Sequence, residues 1–268
     1  MKISCVQFNM LLGQAEENFS RAVEQCKKAA KDRPDVLVLP ETWNTGFFPA
    51  EGLEEMADNC GKKVIEVFGS LAKELDINIV AGSIADKGAD GRVFNTSYVF
   101  NRKGEVVGSY DKTHLFTPMG EHNSFSFGNR VFNFVLDGVK CGLIICYDIR
   151  FPELTRTLAL EGMDILFVVS QWPKVRVPQL EVLRRARAIE NQCFVVSCNS
   201  PGKAGETQYG GTSAIVDPLG EVLARAGEGE EIISANCDLS QLESIRNSIN
   251  VFRDRRPEVY GTKLNRVN

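Results

Sequence analysis

The sequence predicts an α/β fold built from two similar halves, each a β-sheet with helices on its outer face, stacked as a four-layer α-β-β-α sandwich. Three observations carry this expectation. Short apolar runs of strand length alternate with amphipathic helical stretches along the chain. Three segments recur in the same order. DVLVLPE (35–41) is echoed by DILFVVSQ (164–171), LAKELDINIVAGS (71–83) by RARAIENQCFVVSCNS (185–200), and NTSYVFNRKGEVVGSY (95–110) by GTSAIVDPLGEVLARAG (211–227). Finally, no linker or low-complexity stretch divides the chain, so residues 1–268 are expected to form one domain, with a polar, Arg-rich tail from about 247 to 268.

The elements follow in chain order. KISCVQF (2–8) is an apolar strand, and residues 15–31 place Phe19, Ala22, Val23, Cys26 and Ala30 on one helical face. DVLVLP (35–40), bounded by Pro34 and Pro40, has the continuous apolar character of a buried parallel strand. A helix over 62–76 leads to the strand NIVAGS (78–83). Two hairpins come next, one turning at 101–104 and one at Asp137-Gly138, the latter a strong turn signal. Pro152 opens a helix to about Glu161, followed by the strand DILFVVS (164–170), a helix over 179–191 and the strand CFVVSCNS. TSAIVD and EVLARA pair around Pro218-Leu219-Gly220, and EIISANCDL and a short helix near 239–245 close the pattern.

Composition narrows the function. Lys+Arg total 31 against Asp+Glu 35, a net charge of -4, which gives no general electrostatic reason to bind nucleic acid or an anionic membrane. No signal-like or membrane-spanning apolar run is present, so a cytoplasmic protein is expected. Of the eight cysteines, Cys5, Cys141, Cys193, Cys198 and Cys237 sit in apolar strand-like runs, and Cys26 and Cys60 in helix or loop segments. There is no CxxC pair, so neither a disulfide framework nor a zinc site is expected. The histidines are His114 and His122.

The chemistry concentrates in GLIICYDIRFPE (142–153). An apolar strand ends at Cys146 and Pro152 opens a helix, the strand-to-helix junction of a nucleophile elbow. On this segment a nucleophile and a buried structural thiol are both open. A thiol with a pKa near 8.5 needs a base. His114 or His122 would make a Cys-His pair of the protease kind, and Glu41, at the carboxyl end of the strand VLVLPE, is the carboxylate alternative. Lys112, in SYDKTHLF, is either a surface lysine or, if desolvated beside a cysteine, a stabiliser of thiolate and oxyanion.

PET (40–42), DKTHLF (111–116) and CYDIRFPE (146–153), in that order, resemble the carbon–nitrogen hydrolases of the nitrilase superfamily. The resemblance runs from VQF near the start through RARAIENQCFV to the GxSxIVDPxGEVL hairpin. It implies Glu41 as general base, Lys112 as oxyanion stabiliser with the Tyr147 backbone N–H, and Cys146 as nucleophile. EHNSFSFG resembles the family pattern that carries a further glutamate, here Glu121, although Phe127 replaces the usual proline before Gly128. The resemblance also implies the sandwich fold, homodimers, and no metal or organic cofactor. CYDIRFPE, SQWP and ARAIENQCFV most resemble the ω-amidase branch, which hydrolyses the terminal amide of 2-oxo-dicarboxylate monoamides such as 2-oxoglutaramate. The expected partner is therefore a small amide bearing a carboxylate. Arg176, in WPKVRVP, is the candidate to meet that carboxylate through its fork, with Arg150 as competitor, and Trp172 and Phe116 as candidate pocket walls. Nitrilases, N-carbamoyl amino acid amidohydrolases, deaminated glutathione amidases and a non-catalytic interaction protein are the alternatives.

Overall fold

A computed structural model describes residues 1–260 apart from Phe48 and Ala50. In chain order the elements are β1 (Lys2–Gln7), α1 (Ala15–Ala29), β2 (Val36–Val38), α2 (Leu53–Met56), β3 (Asp58–Asn59), α3 (Lys62–Leu75), β4 (Asn78–Val80), β5 (Ile84–Lys87), β6 (Val93–Phe100) and β7 (Val106–Asp111). The second half holds β8 (Asn133–Leu136), β9 (Val139–Ile145), α4 (Pro152–Leu160), β10 (Ile165–Ser170), α5 (Val177–Asn191), β11 (Phe194–Asn199), β12 (Pro201–Ala204), β13 (Thr207–Gly210), β14 (Ala214–Val216), β15 (Val222–Arg225), β16 (Glu231–Asn236) and α6 (Gln241–Ser248).

The two halves share a topology. In the first, β1, β2 and β4 are parallel neighbours, β6 joins β4 antiparallel and β7 joins β6 antiparallel. In the second, β9, β10 and β11 are parallel neighbours, with β14 and β15 added antiparallel in the same way. The three sequence echoes fall on corresponding strands. Each half also gains an antiparallel neighbour on its first strand. That neighbour is β8 on β9 in one sheet, and β16, from the far end of the chain, on β1 in the other.

The layers follow from alternation along the strands. On β1 and β2, Ile3, Cys5, Val36 and Val38 join one buried cluster with Leu143, Ile145, Phe167 and Val196 of the second sheet. Val6, Leu37 and Leu39 instead join Phe19, Ala22, Phe68 and Leu71 of α1 and α3. Side chains on alternate residues point to opposite faces, so the first sheet carries its helices on one face and the second sheet on the other. Leu154 and Leu158 of α4 and Leu180 and Ala188 of α5 cover the outside of the second sheet. The sheets approach closely at small residues: the Cys198 thiol lies 3.3 Å from Val38 O and 3.6 Å from Val6 O.

Several expectations change in detail. The strands at 35–40 and 78–83 are shorter, because Pro40 and Gly82 end their ladders. The last helix runs to Ser248, and beyond it Phe252 packs against the core beneath Arg156, whose Cζ is 5.3 Å from the ring centroid. Residues 261–268 of the expected tail lie outside the described residues. The β12–β13 hairpin, with β3, β5 and α2, has no counterpart in the sequence reading. All eight cysteines are unpaired.

Gly82 marks where fold and site join. It sits at φ +61, and a Cβ there would stand 2.0 Å from Pro40 O. The next residue, Ser83, donates its N–H to Pro40 O and accepts the Thr42 N–H on its hydroxyl, which clamps Glu41 between them. Gly82→Ala is expected to destabilise the protein by about 3 kcal/mol, combining left-handed strain with overpacking. Urea or thermal denaturation measures this, and an unchanged midpoint contradicts it.

Candidate active site

Four strand ends converge on one spot. Glu41 follows the β2 segment, Lys112 follows β7, Cys146 follows β9, and Gln171 follows β10. Strands β2, β9 and β10 deliver their carboxyl ends, where sites form in parallel sheets. The two halves touch directly here, because Glu41 N–H donates to Ser170 O and Gln171 N–H donates to Glu41 Oε2 at 2.7 Å.

Glu41, Lys112 and Glu121 are fully buried. Lys112 Nζ lies 2.7 Å from Glu41 Oε1 and 2.8 and 2.9 Å from the two oxygens of Glu121. Asn95 Nδ2 donates to both acids, at 2.9 Å to Glu41 Oε1 and 3.2 Å to Glu121 Oε1. Phe116 N–H holds the other Glu121 oxygen at 2.5 Å. Burial pushes the Glu121 carboxyl upward against the pull of Lys112. The two carboxylates hold the Lys112 ammonium well above its ordinary value, although burial opposes them. The motif around Glu121 has a steric reason. Gly128 lies against the backbone just before Lys112, where a Cβ would meet Asp111 O at 2.1 Å, and its N–H donates to Lys112 O. Phe127, in the place of the usual proline, is exposed.

Cys146 turns the chain from β9 into the short 146–150 turn at φ +49, the left-handed strain expected of a nucleophile elbow. It is 6% exposed and lines the pocket. Burial first, and then the charge of Glu41 nearby, push its thiol well above the ordinary value; Lys112 opposes this without prevailing. Lys112 thus favours the thiolate, as its place in the sequence suggests, but burial and Glu41 outweigh it.

The pocket is tight, with about 20 Å³ open to the centre of a water molecule. Phe47, Phe116, Met119, Tyr147, Trp172 and Pro173 supply most of its walls. Arg150 and Arg176, the two candidate carboxylate binders, both line it. Arg150 Cζ sits 5.0 Å over Trp172 and Arg176 Cζ 5.2 Å over Phe116. Neither guanidinium has an ion pair among the described residues. Trp172 Nε1–H donates to Arg176 O at 2.7 Å, which fixes the turn carrying that arginine.

Neither histidine joins this group. The His114 ring stacks on Phe151 at 3.7 Å, with Nδ1 2.8 Å from Asp148 Oδ1, and His122 is exposed. Among the described residues, no cluster of three or more His, Cys, Asp or Glu side chains is placed to hold a metal ion, and no helix is long and apolar enough to cross a membrane.

Sequence reasoning missed Gln171 and three further groups. Asn95 has its signal in the echoing NTS and GTS segments, but nothing there assigns its contacts. Tyr209, on the β12–β13 hairpin, packs with Phe47; burial, with the charges of Glu41 and Cys146, pushes its phenol upward. Asp148 is the third. It is fully buried and accepts from Tyr110 Oη, Thr113 Oγ1, His114 N and Ile145 N at 2.8 to 3.1 Å, in addition to its His114 ring contact. It therefore ties the lysine loop to the cysteine turn.

The chain belongs to the carbon-nitrogen hydrolase family, whose model matches residues 2–247. It is accordingly a hydrolase of carbon–nitrogen bonds in linear amides. It is 43% identical over 258 residues to a 2-oxoglutaramate amidase of Bacillus subtilis, covering 96% of this chain and 98% of that protein. It is 36% identical to the human deaminated glutathione amidase, covering 92% of this chain and 80% of that one. The crystal structure of Saccharomyces cerevisiae Nit3, a member of branch 10 of the nitrilase superfamily, superposes with a TM-score of 0.89 at 29% identity, over 96% of each chain.

Asp148→Ala leaves several buried donors without an acceptor, each costing about 1–3 kcal/mol. The variant is expected to lose at least ~3 kcal/mol of stability and most of its activity; a denaturation midpoint equal to wild type contradicts this.

Proposed function

We propose that this chain is a cysteine-dependent amidase that hydrolyses a small linear amide carrying a carboxylate, of the 2-oxoglutaramate type, to the acid and ammonia through a thioester on Cys146. The observation that carries the substrate reading is the pair Arg150 and Arg176, two cations lining the pocket beside Cys146 without a carboxylate partner among the described residues. An unpaired guanidinium against an aromatic wall suits a ligand carboxylate. The identity to the Bacillus subtilis 2-oxoglutaramate amidase supports the same reading.

In the proposed mechanism Glu41 accepts the Cys146 proton as sulfur attacks the amide carbon. The carbonyl electrons move to oxygen, and the oxyanion is held by a Lys112 N–H and the Tyr147 backbone N–H. Glu41 then passes its proton to nitrogen as the C–N bond breaks, and ammonia leaves. Water, losing a proton to Glu41, opens the thioester, and that proton returns to sulfur. Glu121 and Asn95 hold Lys112 and Glu41 in place throughout. No metal or organic cofactor takes part.

Cys146→Ala is expected to abolish turnover while keeping the fold, and Glu41→Gln and Lys112→Ala each to lose at least ~100-fold in kcat. The double variant is expected to lose far less than the product, because the residues act as a unit. Steady-state ammonia release reads all of these, and turnover by Cys146→Ala overturns the mechanism.

Arg176→Ala tests the substrate. A charge-assisted hydrogen bond contributes about 1.5–3 kcal/mol, or roughly 10- to 150-fold in kcat/KM. That loss is expected on a carboxylate-bearing amide and little loss on a neutral amide of equal length. An equal fall on both makes Arg176 structural and passes the role to Arg150. A wild type that prefers the neutral amide removes the 2-oxoglutaramate reading.

The proposed assembly is a homodimer. Val182 and Ile189, seven residues apart on α5, are 68% and 51% exposed, and a second copy would cover this outer stripe. Val182→Glu is expected to shift sedimentation from dimer to monomer; a monomeric wild type contradicts the assembly.

A further inference from the structure

Asn95, on β6, is fully buried and lies behind the pocket walls. Its side-chain NH₂ has two acceptors in reach, Glu41 Oε1 at 2.9 Å and Glu121 Oε1 at 3.2 Å. Turning the amide over would set its oxygen against two carboxyl oxygens, so the contacts fix its orientation. That oxygen is instead buried without a hydrogen-bond partner. An unpaired buried acceptor is unfavourable, and the fold accepts it in order to aim two donors at the acids. The Asn95 backbone oxygen separately accepts the Lys112 N–H at 2.9 Å, so the side chain can change without removing that contact.

The same two carboxyl oxygens also carry Lys112. An ammonium has three N–H groups, and Lys112 Nζ has three carboxyl oxygens at 2.7 to 2.9 Å, Glu41 Oε1 and both oxygens of Glu121. In the proposed mechanism Lys112 also holds the oxyanion, so it must loosen one of these contacts as sulfur attacks. In a site closed to solvent no water takes over the vacated oxygen. Asn95 already stands on both oxygens through which Lys112 links the two acids. We propose that Asn95 is a positioning residue for the reaction, which keeps its donors on Glu41 Oε1 and Glu121 Oε1 while Lys112 turns toward the oxyanion. Among the described residues Glu41 Oε2 accepts only the Gln171 N–H, so Asn95 does not occupy the oxygen left to take a proton. The assignment rests on the reading of Glu41 as proton carrier and Lys112 as oxyanion stabiliser. Lys112 loosens only toward the transition state, so the loss of Asn95 falls on kcat more than on KM.

Donors on a carboxylate oxygen favour its ionised form. Without them the acid pair keeps its proton to higher pH, and activity is lost first at the acidic side. Lys112, Cys146 and Tyr209 are the titratable groups that act on the pair from the neighbouring elements, and all stay in place in Asn95→Ala. With 2-oxoglutaramate as substrate, Asn95→Ala is expected to lower kcat about 10-fold, with KM within about threefold of wild type. The acidic limb of its kcat/KM–pH profile is expected to move up by about half to one unit. A limb raised by about 0.3 unit or more, together with a fall in kcat of about threefold or more, supports the assignment. A limb that stays within about 0.3 unit overturns it even where activity falls, because a structural loss alone leaves the limb in place. An unchanged kcat, or a fall carried by KM alone, overturns it too. Asn95→Val, which also lacks donors and suits a strand, is read in the same way if Asn95→Ala does not fold. Glu41→Gln and Lys112→Ala, run beside it, separate the two readings. If either keeps the wild-type kcat, the reading of that residue has failed. If both are impaired and the Asn95→Ala limb is unmoved, the Asn95 assignment has failed by itself.

Discussion

Two carboxylates share one ammonium in a site sealed from water, and most of the surrounding structure serves that arrangement. A lone buried Lys112 would pay a desolvation penalty of several kcal/mol, and Glu41 and Glu121 offset it by flanking the ammonium. The two acids repel each other, and the Lys112 ammonium and Asn95 amide between them make that tolerable. The three groups sit side by side out of reach of solvent, and Cys146 lines the pocket next to them. Removing Lys112 would leave two buried carboxylates together, so its structural role is coupled to its proposed chemical one.

The duplicated fold explains how these groups meet. Each half ends a parallel strand at the same place, and the halves are joined there by the Ser170–Glu41–Gln171 hydrogen bonds. The pseudo-symmetry is spent unequally. The first half supplies both acids and the lysine, and the second supplies the cysteine and the arginines. Asp148 then locks the two contributions in register, since its acceptors hold the 110–114 segment of one half and the start of the cysteine turn of the other. The placement of Cys146 against Glu41 depends on such knots rather than on the strands themselves.

Much of this was visible in the sequence, for identifiable reasons. The duplication shows as recurrent strand segments because buried strands need continuous apolar runs. The Asp137-Gly138 turn shows because both residues must adopt positive φ, at 48° and 82°. Glu41, Lys112, Glu121 and Cys146 show because each sits in a distinctive local motif. Asn95, Asp148 and Gln171 were not legible, because their significance lies in partners distant along the chain: Gln171 meets Glu41 across 130 residues. The β12–β13 hairpin escaped because PGKA and TQYG lack apolar alternation, and its tight turn at Gly205 reads as loop. The upward shift of the Cys146 thiol was equally hidden, since it depends on burial in three dimensions rather than on the nearby lysine in the motif.

The central claim is that Cys146 carries the acyl group between the two halves of the reaction. Acid-quenching the enzyme during turnover of an ω-monoamide, followed by peptide mass mapping at low pH, tests this directly. The account predicts a mass increase equal to the acyl group on the peptide containing Cys146, which disappears on treatment with hydroxylamine. An acyl group on another of the eight cysteines would contradict it, as would an unmodified Cys146 peptide under conditions where water attack is rate-limiting.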